Sequence, residues 1–329
     1  MAGVSVPTVS RVLNGTARVS EKRRLRVLEA VKTLGYHPNA AALALVTGRP
    51  SLISVLTGDT LQYGYASTIQ GVEEAARAAG RVAAITVLGS SSAQELRQAV
   101  ALALSQPVAG MVILEFDESG TQAIGQIPHS VPLAVVSSAP RQDVAYVLFD
   151  DRQGGAEATR FLLGLGHRTV HHVSAPSTGR VSGRLLGWQD ALAEAGAEVT
   201  EVIPADWGPA SGYQAGLRLA GLRLVQKDEV TAVFCGNDEI AFGVIRALQS
   251  RGLDVPGDVS VVGFDDHPLA PLWTPSLTTM SQDFVRLGRS VVALLLQTPD
   301  LQQRPEGPRA GDGPVPHLVI RDSSAPPRR

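Results

Sequence analysis

From residue 51 onward, seven largely apolar runs of strand length recur, at 52–56, 82–87, 111–114, 133–136, 170–173, 231–235 and 259–263. Between them lie amphipathic stretches of helical length, at 67–79, 93–105, 152–165, 180–195, 239–250 and 283–297. A strand that is apolar throughout needs cover on both faces, and regular alternation with helices supplies it. The pattern therefore predicts an α/β fold of parallel sheets with helices on each side. Two successive sets of such units predict two doubly wound lobes. Ligands of such sheets sit beyond the carboxyl ends of the strands, so the cleft between the lobes is the expected site.

The first 49 residues differ in chemistry. They hold eight basic side chains and two acidic ones, a charge of +6, while the chain as a whole carries −2 over 329 residues. The other 280 therefore carry −8. A basic end on an acidic body points to a polyanion met at one end only, or to a solvated basic helix face. The one cysteine, Cys235, leaves no intrachain disulfide and no multi-cysteine zinc site. No apolar run approaches the roughly 18 residues that cross a bilayer, and the first 20 residues do not read as a secretory signal. A reducing cytoplasm fits, with no membrane partner.

The basic segment reads as two short helices. Ser5 caps the first and Pro7 sits in its first turn, where a missing N–H costs nothing. Val9, Val12 and Leu13 share one face, and Asn14-Gly15 stops the helix. Ser20 caps a second helix to about Leu34, with Val27, Val31 and Leu34 as its apolar stripe; Gly35 ends it and His37-Pro38 breaks the chain. Small polar residues at the tip of the first helix, with Arg11 one turn later, suit a major-groove reader.

The run Ala2-Gly3-Val4-Ser5-Val6-Pro7-Thr8-Val9-Ser10-Arg11-Val12-Leu13-Asn14-Gly15 is followed by Arg18-Val19-Ser20, by Leu34-Gly35-Tyr36 with Pro38-Asn39, and by Gly48-Arg49. Together they resemble the DNA-binding head of the lac/galactose repressor family. The resemblance implies that Ser5 to Asn14 is the recognition helix of a helix-turn-helix. Val6, Pro7 and Arg11 would then face base edges, and Thr8, Ser10, Asn14, Arg18, Ser20 and Tyr36 would position phosphates. Residues 39–46 would be the hinge helix, with Asn39, Ala42 and the minor-groove lever Leu45; an ordinary core leucine is the plainer reading of Leu45. Leu43 and Val46 stand near positions where the family commonly has arginines, which implies fewer phosphate contacts and a weaker salt dependence. Family members carry about ten more residues before the position of Ala2, forming the first helix of the motif. An upstream start is therefore the expectation; the alternative is a sensor of this fold that has lost specific DNA binding.

The body repeats the resemblance at Phe161-Leu162, Gly166-His167-Arg168, Gly187-Trp188, Gly212-Tyr213 and Asn237-Asp238-x-x-Ala241-x-Gly243. It continues through Val255-Pro256, the run from Asp258 to Asp266, Pro275-x-Leu277-Thr278-Thr279 and Gln282-Asp283-Phe284. These are similar to the inducer-binding body of the same family, itself related in fold to periplasmic sugar-binding proteins. The domains implied are a head over 1–48 and an effector domain over 49–329. Lobe 1 would take about 51–149 and 277–305, and lobe 2 about 150–275 and 312–323.

Holding a sugar needs planar donors and acceptors for paired hydroxyls and an aromatic plate for a C–H face. On the resemblance, Arg184 would fork across two hydroxyls, Asn237 would donate and accept, and Asp265 would accept twice. Trp207 would stack on the ring, and Gln282 would close from the segment that crosses between lobes. Ser137, which replaces an acidic residue of some members, would line the other wall with Gly58 and Tyr65. Plainer roles remain for three of these: a helix cap for Asp265, core for Trp207, a strand-to-helix turn for Asn237.

Seven histidines offer enzyme chemistry in principle, yet no HExxH, Gly-x-Ser-x-Gly or P-loop occurs. His171-His172 would point to opposite faces of a strand. No catalytic residue, metal or cofactor is expected. A secreted binding protein of this fold is a further alternative, opposed by the basic head. The expectation is a homodimeric, DNA-binding regulator, most simply a repressor, that grips double-stranded operator DNA under the control of a sugar.

Overall fold

The computed structural model describes residues 2–14, 19–36, 50–89, 92–176, 182–225, 230–297, 310–311 and 313–328. The chain divides into two compact units, Met1–Pro50 and Ser51–Arg329. Among the described residues, no helix is long and apolar enough to cross a membrane.

In the first unit, helix α1 (Val6–Asn14) and helix α2 (Glu21–Leu34) form where the punctuation predicts. Ser5 precedes α1, and its carbonyl accepts from Thr8 N and Val9 N. Gly35 closes α2 in the left-handed conformation at φ 56°, which a residue without Cβ adopts without strain. The stripe on α2 is only partly covered: Val27 is buried, Val31 half-buried and Leu34 exposed. Arg26 Nη2 donates to Gly3 O at 3.0 Å and ties the start of the chain to α2.

The second unit opens with β1 (Leu52–Thr57), α3 (Tyr63–Ala78), β2 (Val82–Val87), α4 (Ala93–Ala103) and β3 (Val108–Glu115). It continues with α5 (Glu118–Ile124), β4 (Leu133–Ser137), β5 (Ala145–Leu148) and α6 (Asp151–Gly164). Then come β6 (His171–Ser174), α7 (Gly183–Glu194), β7 (Ile203–Pro204), α8 (Pro209–Val225), β8 (Ala232–Cys235), α9 (Asp238–Ser250) and β9 (Ser260–Asp265). The last elements are β10 (Thr278–Ser281), α10 (Phe284–Leu296), β11 (Ala310–Gly311) and β12 (His317–Val319). They build two six-stranded sheets, ordered β11-β5-β4-β3-β1-β2 and β12-β10-β9-β8-β6-β7. Every pairing is parallel except β10 with β12.

Separate apolar layers line the faces of each sheet. Val55, Val112 and Val136 face one core of the first lobe; Leu56, Ile113 and Val135 face the other. Val233 and Val261 against Phe234 and Val262 do the same in the second. This is the two-sided burial that the apolar runs anticipate.

The lobe boundary expected at 277 needs correction. Leu277 and Met280 are fully buried in the cores of the second lobe, and Thr278–Ser281 is strand β10 between β9 and β12. The chain returns to the first lobe only after Gln282, where α10 packs its apolar face on the first core, and β11 at 310–311 still belongs to the first sheet. The expected hinge helix at 39–46, with Asn39, Ala42 and Leu45, lies outside the described residues, as do Arg18 and residues 298–309.

Candidate functional site

Between the lobes lies a cleft whose lining, among the described residues, comes from the carboxyl ends of strands, the positions just past them and the helices that follow. From the first lobe come Tyr63, Tyr65, Glu115, Phe116, Ser138 and Phe149. Asp151, Arg184, Trp207, Asn237, Glu239 and Asp265 face them from the second, and Phe284 follows the crossing at Gln282.

Arg184 sits at the cleft floor, in the first turn of α7. Its Nε lies 3.2 Å from Asp151 Oδ2 and its Nη2 3.1 Å from Asp265 Oδ1, while Nη1 donates to Gly236 O. Its guanidinium carbon stands 3.9 Å over the Phe264 ring. Burial alone would lower the Arg184 pKa, but the two carboxylates outweigh it and the guanidinium stays charged. Burial pushes Asp265 up to about 6 against the pull of Arg184, and raises Asp151 with Arg184 and Gln282 opposing. Among the described residues, Arg184 Nε and Asp265 Oδ1 are buried in ion pairs that lack hydrogen-bond alignment. Buried polar atoms without a well-aligned hydrogen bond suit a polyhydroxylated guest.

The backbone enforces this arrangement. Helices α6 and α7 touch closely at glycines: a Cβ on Gly155 would run into Arg184 O, and one on Gly187 into Arg152 O. Asp265 ends β9 at φ 103°, a left-handed conformation costly for a residue with a side chain. Behind it, Asp238 accepts from Thr279 Oγ1 at 2.5 Å and from His267 N at 2.6 Å; burial holds its pKa well above the carboxylate range.

The expected residues fare unequally. Arg184, Asn237, Asp265, Trp207 and Tyr65 all line the cleft. Asn237, however, spends both ends of its amide within the protein: Oδ1 caps α9 by accepting from Ile240 N at 2.8 Å, and Nδ2 donates to Trp207 O at 3.0 Å. Its amide thus also holds the Trp207 loop in place. Three expected residues stand away from the wall. Gln282 is buried behind it, donating Nε2 to Asp151 Oδ1 at 3.0 Å. Ser137 turns its hydroxyl to Ala139 O at 2.8 Å. Gly58 lies against the Asp117 carboxylate, which a Cβ there would overlap. That carboxylate accepts from Tyr65 Oη at 2.6 Å, so Gly58 acts on the wall only through Asp117 and Tyr65.

Sequence reasoning missed Asp151, Tyr63, Phe116, Phe149, Phe284 and Glu115. Glu115 is paired in register with Ser137 on the neighbouring strand, so the carboxylate expected at one strand end arrives from the next. The missed signal was a lone acid closing a fully apolar strand at the end where ligands bind.

In the head, Val6, Pro7, Ser10 and Arg11 form an exposed face of α1, and Ser5, Ser20 and Tyr36 are exposed as well. Thr8 is half-buried, with its hydroxyl 3.0 Å from that of Ser5; the Ser20 side chain makes no cap hydrogen bond, contrary to expectation.

Two doubly wound lobes closing on a polar cleft, preceded by a basic two-helix unit, define a ligand-sensing body joined to a nucleic-acid-binding head. Residues 1–39 match the lacI family of bacterial regulatory proteins, and residues 159–324 match a periplasmic binding protein-like domain. The HTH-type transcriptional repressor PurR of Pectobacterium carotovorum is 34% identical over 304 residues, covering 90% of this chain and 87% of that protein. Among solved structures, the lac repressor dimer bound to operator and the anti-inducer ONPF superposes with a TM-score of 0.86 at 30% identity, over 98% of this chain and 96% of that one. The complex of the transcriptional regulator CelR with cellobiose gives 0.71 at 29% identity, over 98% and 97%. The chain belongs to the lacI family of bacterial regulatory proteins; it is a DNA-binding transcriptional regulator.

Proposed function

We propose that this regulator acts as a cytoplasmic homodimer that represses carbohydrate-utilisation genes, and that a saccharide held between its lobes sets its grip on operator DNA. One observation carries the reading: on one cleft wall Arg184 Nε and Asp265 Oδ1 are buried and opposite in polarity, each ion-paired but without a well-aligned hydrogen bond among the described residues, with Trp207 beside them. A ring with adjacent hydroxyls donates to one, accepts from the other and lays a C–H face on the indole. The solved relatives carry ligands described as ONPF and cellobiose. The effector-binding set is Arg184, Asp265, Trp207, Tyr65, Asp151 and Glu115. Asn237 and Gln282 position it.

In the head, Val6, Pro7 and Arg11 read base edges, while Ser5, Thr8, Ser10, Asn14, Arg18, Ser20, Tyr36, Asn39 and Ala42 position the backbone and Leu45 wedges the minor groove. The cleft binds its saccharide and returns it unchanged. Ligand binding alters DNA affinity only by its differential affinity for the two lobe arrangements. A thermal-shift screen of neutral mono- and disaccharides tests the reading. A binder present at about 100 times its Kd adds about 2.7 kcal/mol and raises Tm by several degrees. A flat response across the panel, or turnover of the sugar that binds, refutes it.

A further inference from the structure

Glu115 is the last residue of β3, only 3% exposed, and lines the first-lobe wall of the cleft. Its Oε1 accepts from Arg141 Nη1 at 2.7 Å, whereas Oε2 is buried with no hydrogen-bond partner among the described residues. The other Arg141 nitrogens, Nε and Nη2, donate to Asp143 at 2.9 and 2.8 Å, so one guanidinium is shared between two acids. The next residue, Phe116, packs edge-on against Tyr65 and Phe149 on the same wall. Across the cleft, Arg184 already faces Asp151 and Asp265.

Building on the saccharide reading, we infer that Glu115 is a specificity-determining residue: its free Oε2 demands a hydrogen-bond donor, a hydroxyl or an ammonium, and turns away sugars that carry a carboxylate or phosphate at that end. An anionic group there sets acceptor against acceptor and a like charge beside a buried carboxylate. The effector class is accordingly neutral or amino-bearing saccharides. Sugar phosphates and uronic acids are excluded.

Calorimetric titration of the full chain tests this with matched probes: glucose, galactose and cellobiose, the corresponding hexosamines, the hexuronates and the hexose 6-phosphates. For wild type, the neutral or amino form of a sugar binds at least about 100-fold more tightly than its anionic counterpart. In Glu115→Gln the side chain keeps its size and offers an N–H. Affinity for the neutral sugar falls about tenfold or more, and the gap to the uronate narrows by at least the same factor. Glu115→Asp keeps the charge with a shorter reach, so affinity falls while discrimination against anions persists; it serves if the glutamine variant folds poorly. A merely structural role would alter stability without altering the ratio between neutral and anionic sugars. An anionic sugar binding wild type as tightly as its neutral form overturns the role of Glu115 and leaves the saccharide reading standing. An unchanged ratio in Glu115→Gln does the same. Failure of every saccharide to bind wild type overturns both.

Discussion

Asp265 keeps its charge in a buried site, and this gives the residue scale its first test. Its folded pKa of about 6 lies above the ordinary 3.8, so ionisation favours the unfolded chain. The group's contribution is fully favourable below about pH 4 and is lost as pH rises through about 6. Asp265→Asn removes the penalty: the difference in unfolding free energy between variant and wild type should grow between pH 4 and 6 and then level off, as followed by urea titration. Saccharide hydroxyls instead favour the carboxylate, so affinity should rise with pH through the same window and vanish in the variant. Arg184, Asp151 and Glu239 share this electrostatic neighbourhood, and flat affinity between pH 5 and 7 would remove Asp265 from the contact set. Arg184→Ala leaves two buried carboxylates unpaired; a stability loss of about 3–5 kcal/mol and an abolished ligand response are expected, with operator binding retained.

Asp265 was legible because it sits in a run of matching landmarks, and Arg184 and Trp207 because each lies a few residues before another, Gly187-Trp188 and Gly212-Tyr213. Asp151 and Glu115 were not, since an isolated acid beside an apolar strand looks like a solvent-facing residue until the opposite lobe is placed over it.

At the scale of elements, the contact of α6 with α7 sets the position of Arg184. Gly187→Ala drives a methyl into Arg152 O, so α7 must shift. About 1–3 kcal/mol of stability and about tenfold in saccharide affinity should be lost; normal affinity with a lowered Tm would show that the helix yields without moving the guanidinium. On α1, Arg11 is exposed on the proposed reading face. Arg11→Ala should cost about 1–3 kcal/mol at a cognate duplex and little at random DNA, by gel shift; equal losses on both would reduce Arg11 to a phosphate contact.

Long apolar strands and capped helices were readable, but helix α3 begins at Tyr63 rather than 67. There Asp59 Oδ1 accepts from Leu61 N and Gln62 N and organises the entry, a side-chain device that periodicity does not register. Helix α8 was missed because its small and apolar residues spread round the cylinder. Strands β7, β11 and β12 have two or three residues each, too short to show a period.

At the scale of the whole molecule, the lobes exchange chain at the β5–α6 connection, at Gln282 and between β11 and β12. Gln282 reaches from the second of these to Asp151 at the first, so the crossing points are bonded to the effector site itself. That link was illegible in the sequence, where the two residues are 131 positions apart. It gives a saccharide on Arg184 and Asp265 direct purchase on how the lobes are joined. The most direct test is fluorescence anisotropy of the full chain on a duplex selected by the protein from a random pool, titrated with and without the neutral saccharide that raises its Tm. The account predicts a change of about tenfold or more in operator Kd, a coupling of about 1.4 kcal/mol. An operator affinity unchanged at saturating saccharide would contradict it.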